Sequence, residues 1–220
     1  MVVGQQFKNN LFHVSQNYLS QFLNLILIYL ITTKLTIVEL GLYGICRSIL
    51  SFLEFSNLGT RFGLDFVLPY SKSKLSSYAN TTLSLNFWIS FLIVFVISFI
   101  YKDFDIIIFS IGGIFFLTFN LIRLINRALG NTSLFVKQSF FHNSIPLISQ
   151  ILGLLIYGFR GIVIGFLIGS LLNLILSKIK FYNSISYMPK TNLVFKLVDS
   201  GKGLFLLSLL TLLVVSIDRL

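Results

Sequence analysis

Residues 38–69 read VELGLYGICRSILSFLEFSNLGTRFGLDFVLP, and the fold turns on whether this stretch crosses a membrane. It is apolar enough to do so, yet it holds Arg47, Glu54 and Arg61 seven residues apart. On one continuous helix, residues at i, i+7 and i+14 share a face, about 10 Å apart per step. Charges at membrane depth are costly and normally face a bundle interior or a watery cavity. A chain that keeps three of them in one stripe is expected to bind, sense or move something polar.

The composition agrees with a membrane location. Hydrophobic residues make up 55% of the 220 and charged residues 11%, against about 25% charged in a soluble domain. Mean hydropathy is +0.89. The net charge of +10 does not imply a nucleic-acid partner, because the basic residues form no stripe within a soluble motif. The single cysteine, Cys46, lies in an apolar run, so neither a disulfide framework nor a cysteine metal site is expected. No P-loop, nucleophile elbow, metal-ligand cluster or pair of acids in an exposed loop is present, so the chain reads as a non-enzyme without a cofactor. The first apolar run follows amides rather than a cleavable leader pattern.

A membrane helix needs about 20 mostly apolar residues. Spans are predicted near 11–33, 39–63, 83–101, 106–124, 138–157 and 161–179, with a seventh beginning near Gly203. The fold class is therefore all-α, a polytopic membrane helix bundle. Residues 1–180 are expected to form a six-helix lobe, 181–202 a cytoplasmic amphipathic linker and 203–220 the start of the seventh helix. With these spans, twelve Lys and Arg fall on the side of Lys8, Arg61 and Arg127, and three (Lys34, Lys102, Arg160) on the other. The positive-inside rule then predicts a cytoplasmic N-terminus. The segment after Pro189 mixes Lys with apolar residues, as in a helix lying on anionic lipid, although a solvated linker has the same composition. The chain ends at SIDRL inside an apolar run, so it is expected to be the N-terminal part of a longer transporter or a truncated product.

Within the first span, Asn10, His13, Asn17, Ser20 and Asn24 recur at three and four residues, with Gln16 and Gln21 beside them. Amides supply donors and acceptors suited to sugar hydroxyls in a wet cavity, or to bonds between helices. In the second span, Arg47, Ser51, Glu54 and Arg61 form a stripe, with Asp65 placed to pair with Arg61 as a structural salt bridge. Arg47 could bind a pyrophosphate, whose geometry a guanidinium matches; Glu54 could neutralise an Arg or take up a coupling ion. Asn120, Arg123 and Arg127 continue one face of the fourth span as a basic cytoplasmic entrance or a plain anchor. His142, near Asn143 and Pro146, reads as a hydrogen-bonded residue between helices. Gly161, Gly165 and Gly169, with Asn173, mark a close helix contact. Asp218 and Arg219 are adjacent and so reach different partners.

These pieces resemble the Wzx-type polysaccharide, or O-antigen, flippases of the multidrug/oligosaccharidyl-lipid/polysaccharide exporter superfamily. The likeness lies in FKNNLFHVSQNYLSQFLNLILIYLI (7–31), in the Gly41-Leu-Tyr-Gly44 turn leading to Leu58-Gly59, and in LLSLLTLLVVSIDRL (206–220) with its Asp-Arg pair. It implies twelve to fourteen helices in two lobes, alternating access, and a multi-pass place in a bacterial cytoplasmic membrane. The implied cargo is undecaprenyl-pyrophosphate-linked oligosaccharide for O-antigen, capsule or exopolysaccharide synthesis. Membrane lipids and the polymerase and glycosyltransferases of that pathway are the other implied partners. On this basis Arg47, Glu54, Asp218 and Arg219 are expected in the cavity, joined by Asn17 and Asn24 from the polar face of the first span. A cation-coupled multidrug exporter of the same superfamily and an inactive membrane fragment are the alternatives.

Overall fold

The computed structural model describes the backbone over residues 2–70, 75–176 and 188–217, and the side chains of 14–211 within it, except residues 16, 17 and 75. No strand occurs among the described residues. Seven α-helices make up most of them: α1 (Val2–Lys34), α2 (Ile37–Leu53), α3 (Thr60–Val67), α4 (Leu75–Tyr101), α5 (Phe104–Ala128), α6 (Thr132–Leu176) and α7 (Thr191–Ile217). Three of them are long and apolar enough to cross a membrane, at Ser76–Tyr101, Phe104–Ala128 and Thr132–Leu176. Along α4, Phe87, Phe91, Phe95 and Phe99 are all exposed, a continuous apolar stripe suited to lipid.

α6 is two antiparallel arms. Gly158 has φ 63° and ψ −138°, a conformation that only glycine adopts without strain, and the chain reverses there. The second arm (159–176) returns along the first (132–157) with backbone against backbone. A Cβ added to Gly161 would fall on the Gly153 carbonyl, and one on Gly165 would fall on the Ser149 carbonyl. The spans expected at 138–157 and 161–179 correspond to these arms as far as Leu176, and the glycines spaced by four are their contact line.

The second expected span is where the structure departs most. α2 starts at a capping box, in which Glu39 N–H donates to Thr36 Oγ1 (3.4 Å) and Thr36 N–H donates to Glu39 Oε2 (2.9 Å). Gly41-Leu-Tyr-Gly44 lies inside that helix and is not a turn. The helix then breaks. A 3-10 turn occupies Glu54–Asn57, and Leu58 (φ 47°) and Gly59 (φ 81°) are left-handed before α3 begins. Asn57 makes the break by competing with the helical bonds. Its amide donates to the Glu54 carbonyl (2.7 Å), its Oδ1 accepts from Gly59 N–H (3.0 Å), and its carbonyl accepts from Thr60 Oγ1 (2.7 Å). α4 holds the turn from the side: Ser90 Oγ donates to Ser56 Oγ (2.8 Å), which donates to Asn86 Oδ1 (2.7 Å). Of the three charges only Arg47 lies on α2; Glu54 opens the turn that follows and Arg61 lies on α3, which corrects the single-helix stripe.

α7 runs unbroken from Thr191, so residues 191–202 of the expected linker and the span expected from Gly203 are one helix. Residues 181–187 and 218–220 lie outside the described residues. The first half of α7 packs on α3. A Cβ on Gly63 would fall on the Leu197 carbonyl, and one on Gly201 on the Gly59 carbonyl, while Phe55 and Phe205 meet edge to face at 6.0 Å.

The break also divides the core. One cluster joins α1, α2, α4, α5 and both arms of α6, through Leu27, Cys46, Leu53, Phe109 and Phe166. Phe109 and Phe166 stack at 4.4 Å, a pairing worth about 0.5–1.5 kcal/mol beyond area burial. The smaller cluster joins α3, α4, α5 and α7 through Leu64, Leu68, Tyr78, Ile125 and Leu197.

Candidate binding groove

α1 packs on α6, and α2 on α5. Between these four helices lies a groove of about 380 Å³. α1 contributes Ser20, Gln21 and Asn24; α2 and the turn after it contribute Arg47, Leu50 and Glu54. Phe116 enters from α5, while His142, Asn143, Pro146, Leu147 and Gln150 come from the first arm of α6 and Phe166 from the second. The polar edge of α1 thus faces the groove over its described part. The seven-residue spacing brings Arg47 and Glu54 to the same groove because α2 stays helical up to Glu54.

Arg47 and Glu54 are exposed. Three ion pairs occur among the described residues, Arg127–Asp65, Arg160–Asp105 and Lys202–Asp199, and neither Arg47 nor Glu54 belongs to one. Among the described residues no arginine is paired with Glu54. It lines a second, smaller cavity of about 40 Å³ on its far side, together with Arg61, Phe205 and Ser208. The Arg61 guanidinium sits 4.9 Å over the Phe62 ring.

The salt bridge expected between Arg61 and Asp65 is replaced by one from Arg127 Nη2 to Asp65 Oδ2 at 2.5 Å. Arg61 and Asp65 share α3, one turn apart, but the Arg61 guanidinium lies over the Phe62 ring while Asp65 reaches across to Arg127 of α5. Arg123 is also engaged: Nη2 donates to Asn120 Oδ1 (2.7 Å), Nη1 to Ser139 Oγ (3.4 Å), and the guanidinium lies 5.7 Å over Phe135. The basic face of α5 is thus tied into the bundle at both arginines. At the other end of the bundle, Lys102, Asp103, Asp105 and Arg160 gather round a further pocket, and Arg160 Nε lies 3.5 Å from Asp105.

His142 differs from its expected role as a hydrogen-bonded residue between helices. It is 6% exposed and lies stacked on Phe116 at 4.1 Å and Phe119 at 5.7 Å. Its Nδ1 is buried without a hydrogen-bond partner. Gln150 and the two phenylalanines were not singled out in the sequence, although His142, Pro146 and Gln150 share a spacing of four that marks one helix face. Asn86 and Ser90, the seat of the helix break, were missed for the same reason. Of the expected cavity residues, Arg47, Glu54 and Asn24 meet at the groove. The side chain of Asn17 and residues Asp218 and Arg219 lie outside the described residues.

The groove thus joins one cation and one anion, neither ion-paired among the described residues, to amide, imidazole and aromatic groups. Such a set holds a large, multiply polar ligand by hydrogen bonds and charge. No family model, curated protein or solved structure matches this chain.

Proposed function

We propose that this chain is the N-terminal, six-helix lobe of a flippase. Its cargo is a polyprenyl-pyrophosphate-linked oligosaccharide, moved across a bacterial cytoplasmic membrane for surface polysaccharide synthesis. The groove between α1, α2, α5 and α6 is the cargo site. Arg47 takes the pyrophosphate, since a guanidinium presents paired donors to phosphate oxygens. Gln21 and Asn24 take sugar hydroxyls, and the prenyl tail stays in the bilayer. Glu54, seven residues from Arg47, binds a coupling ion or draws Arg47 off the phosphate as the cargo leaves.

The observation that carries this proposal is that Arg47 and Glu54 open into one groove and neither has an ion-pair partner among the described residues. Both side chains are exposed, so a ligand in the groove can reach them, and a guanidinium open to the groove suits an anionic group. The test is translocation of a fluorescent lipid-linked oligosaccharide by the full-length protein in proteoliposomes. Arg47→Ala and Glu54→Ala should each slow it, while Arg47→Lys, which keeps the charge without the fork, should keep part of the rate. Unimpaired transport by both alanine variants would exclude the mechanism.

A cation-coupled drug exporter is the second reading. It is favoured by the Glu54 carboxylate sharing a groove with Phe116 and Leu147, a combination that suits an apolar cation. Ethidium efflux that depends on Glu54, together with no lipid translocation, would select it.

A further inference from the structure

We infer that the α6 floor of the groove, built on His142, Pro146 and Gln150, is a saccharide subsite separate from the amide edge of α1. Two side chains there are more than nine-tenths buried and lack a partner for a polar atom. His142 is 6% exposed and its Nδ1 is unsatisfied; Gln150 is 3% exposed and its Oε1 is unsatisfied. The Gln150 amide nitrogen is already used, donating to the Pro146 carbonyl at 3.1 Å, which fixes the side chain and leaves its oxygen as the free group. Pro146 has no N–H, so the His142 carbonyl also lacks its usual donor four residues on. One turn on either side of Pro146, unmet polar atoms therefore lie just beneath the floor, and a ligand reaches them as the side chains lining the floor turn aside. Leaving such groups buried and unmet costs on the order of 1–3 kcal/mol each.

A ligand that satisfies them must donate several hydrogen bonds at the spacing of helical turns. Hydroxyls on a sugar ring do this. The same stretch of groove carries Phe116 and Phe166, apolar ring faces against which the C–H face of a sugar packs. An ammonium or a metal cation would also satisfy acceptors, but the nearest free carboxylate in the groove, Glu54, stands on the α2 side beside Arg47. A polyol fits better than a cation. As part of the transport cycle this subsite rests on the flippase proposal; as a binding site it does not.

The experiment is ligand-observed NMR on the full-length protein in nanodiscs, using free methyl glycosides of glucose, galactose and N-acetylglucosamine, with inorganic pyrophosphate and sodium as separate probes. At least one glycoside should receive saturation from the protein, and Gln150→Leu and His142→Phe should each weaken its binding about tenfold, the loss of one or two buried hydrogen bonds. His142→Phe keeps the stack on Phe116, so a loss there reports the missing nitrogen and not a collapsed wall. Pyrophosphate binding should survive both changes. The subsite is overturned if no glycoside binds, if both variants bind glycoside as the unaltered protein does, or if sodium displaces the sugar. Translocation of lipid-linked cargo, measured in parallel, separates the two proposals: sugar binding without translocation removes the flippase and leaves the subsite.

Discussion

Arg47 and Glu54 have no ion-pair partner among the described residues. Arg127 and Asp65 show the opposite case. Their pair is short (2.5 Å), but both side chains are more than a third exposed (47% and 37%), and partly exposed pairs contribute about 0.2–1 kcal/mol. Asp65→Asn should therefore lower the unfolding midpoint in detergent only slightly. A double-mutant cycle with Arg127→Gln should return a coupling below about 1 kcal/mol. On the proposed reading Arg47 behaves otherwise, because its hydrogen bonds go to the cargo phosphate. A charge-assisted hydrogen bond is worth roughly 1.5–3 kcal/mol, so Arg47→Ala should cut pyrophosphate affinity about tenfold to a hundredfold while leaving thermal stability almost unchanged. Loss of stability without loss of affinity would make Arg47 a packing residue.

α6 and the α2–α3 break show which parts of the helices sequence reading can reach. The two arms of α6 were legible because each is long and apolar, and because Gly161, Gly165 and Gly169 repeat at the interval that brings backbones together. The break at Glu54–Gly59 was not legible. It holds no proline, its sequence continues an apolar period, and what fixes it is partly remote: Ser90 and Asn86 on α4 reach Ser56. Only Asn57 and Gly59 hinted at it. The groove was half legible for the same reason. Arg47, Glu54 and Asn24 announce themselves by charge and polarity, whereas His142 and Gln150 matter through bonds they fail to make. The glycines can be separated by experiment. Gly161→Ala places a methyl on the Gly153 carbonyl, and should cost about 1–3 kcal/mol of overpacking. Gly44→Ala meets nothing within 4 Å and should stabilise α2 by up to about 1 kcal/mol through helix propensity. Equal effects at the two positions would mean that the arms of α6 do not touch as described.

The charge pattern of the assembled bundle makes a prediction that no single helix does. Arg61, Asp65, Arg123 and Arg127 gather at one end, where Arg127 joins α5 to α3, and Lys102, Asp105 and Arg160 gather at the other. α7 starts at the first end, with Lys196 lying 5.9 Å from the Tyr78 ring. If basic residues mark the cytoplasmic side, Lys196 faces the cytoplasm, and Lys102 and Arg160 face outward. Cys46 is the only cysteine in the chain and is buried, so single cysteines can be introduced against a silent background. In intact cells, Lys102→Cys and Arg160→Cys should react with a membrane-impermeant maleimide, and Lys196→Cys only after the membrane is opened. The reverse pattern would invert the protein and put the basic end that holds Arg123 and Arg127 on the outer face. Labelling of all three from outside would mean that these helices do not cross the membrane.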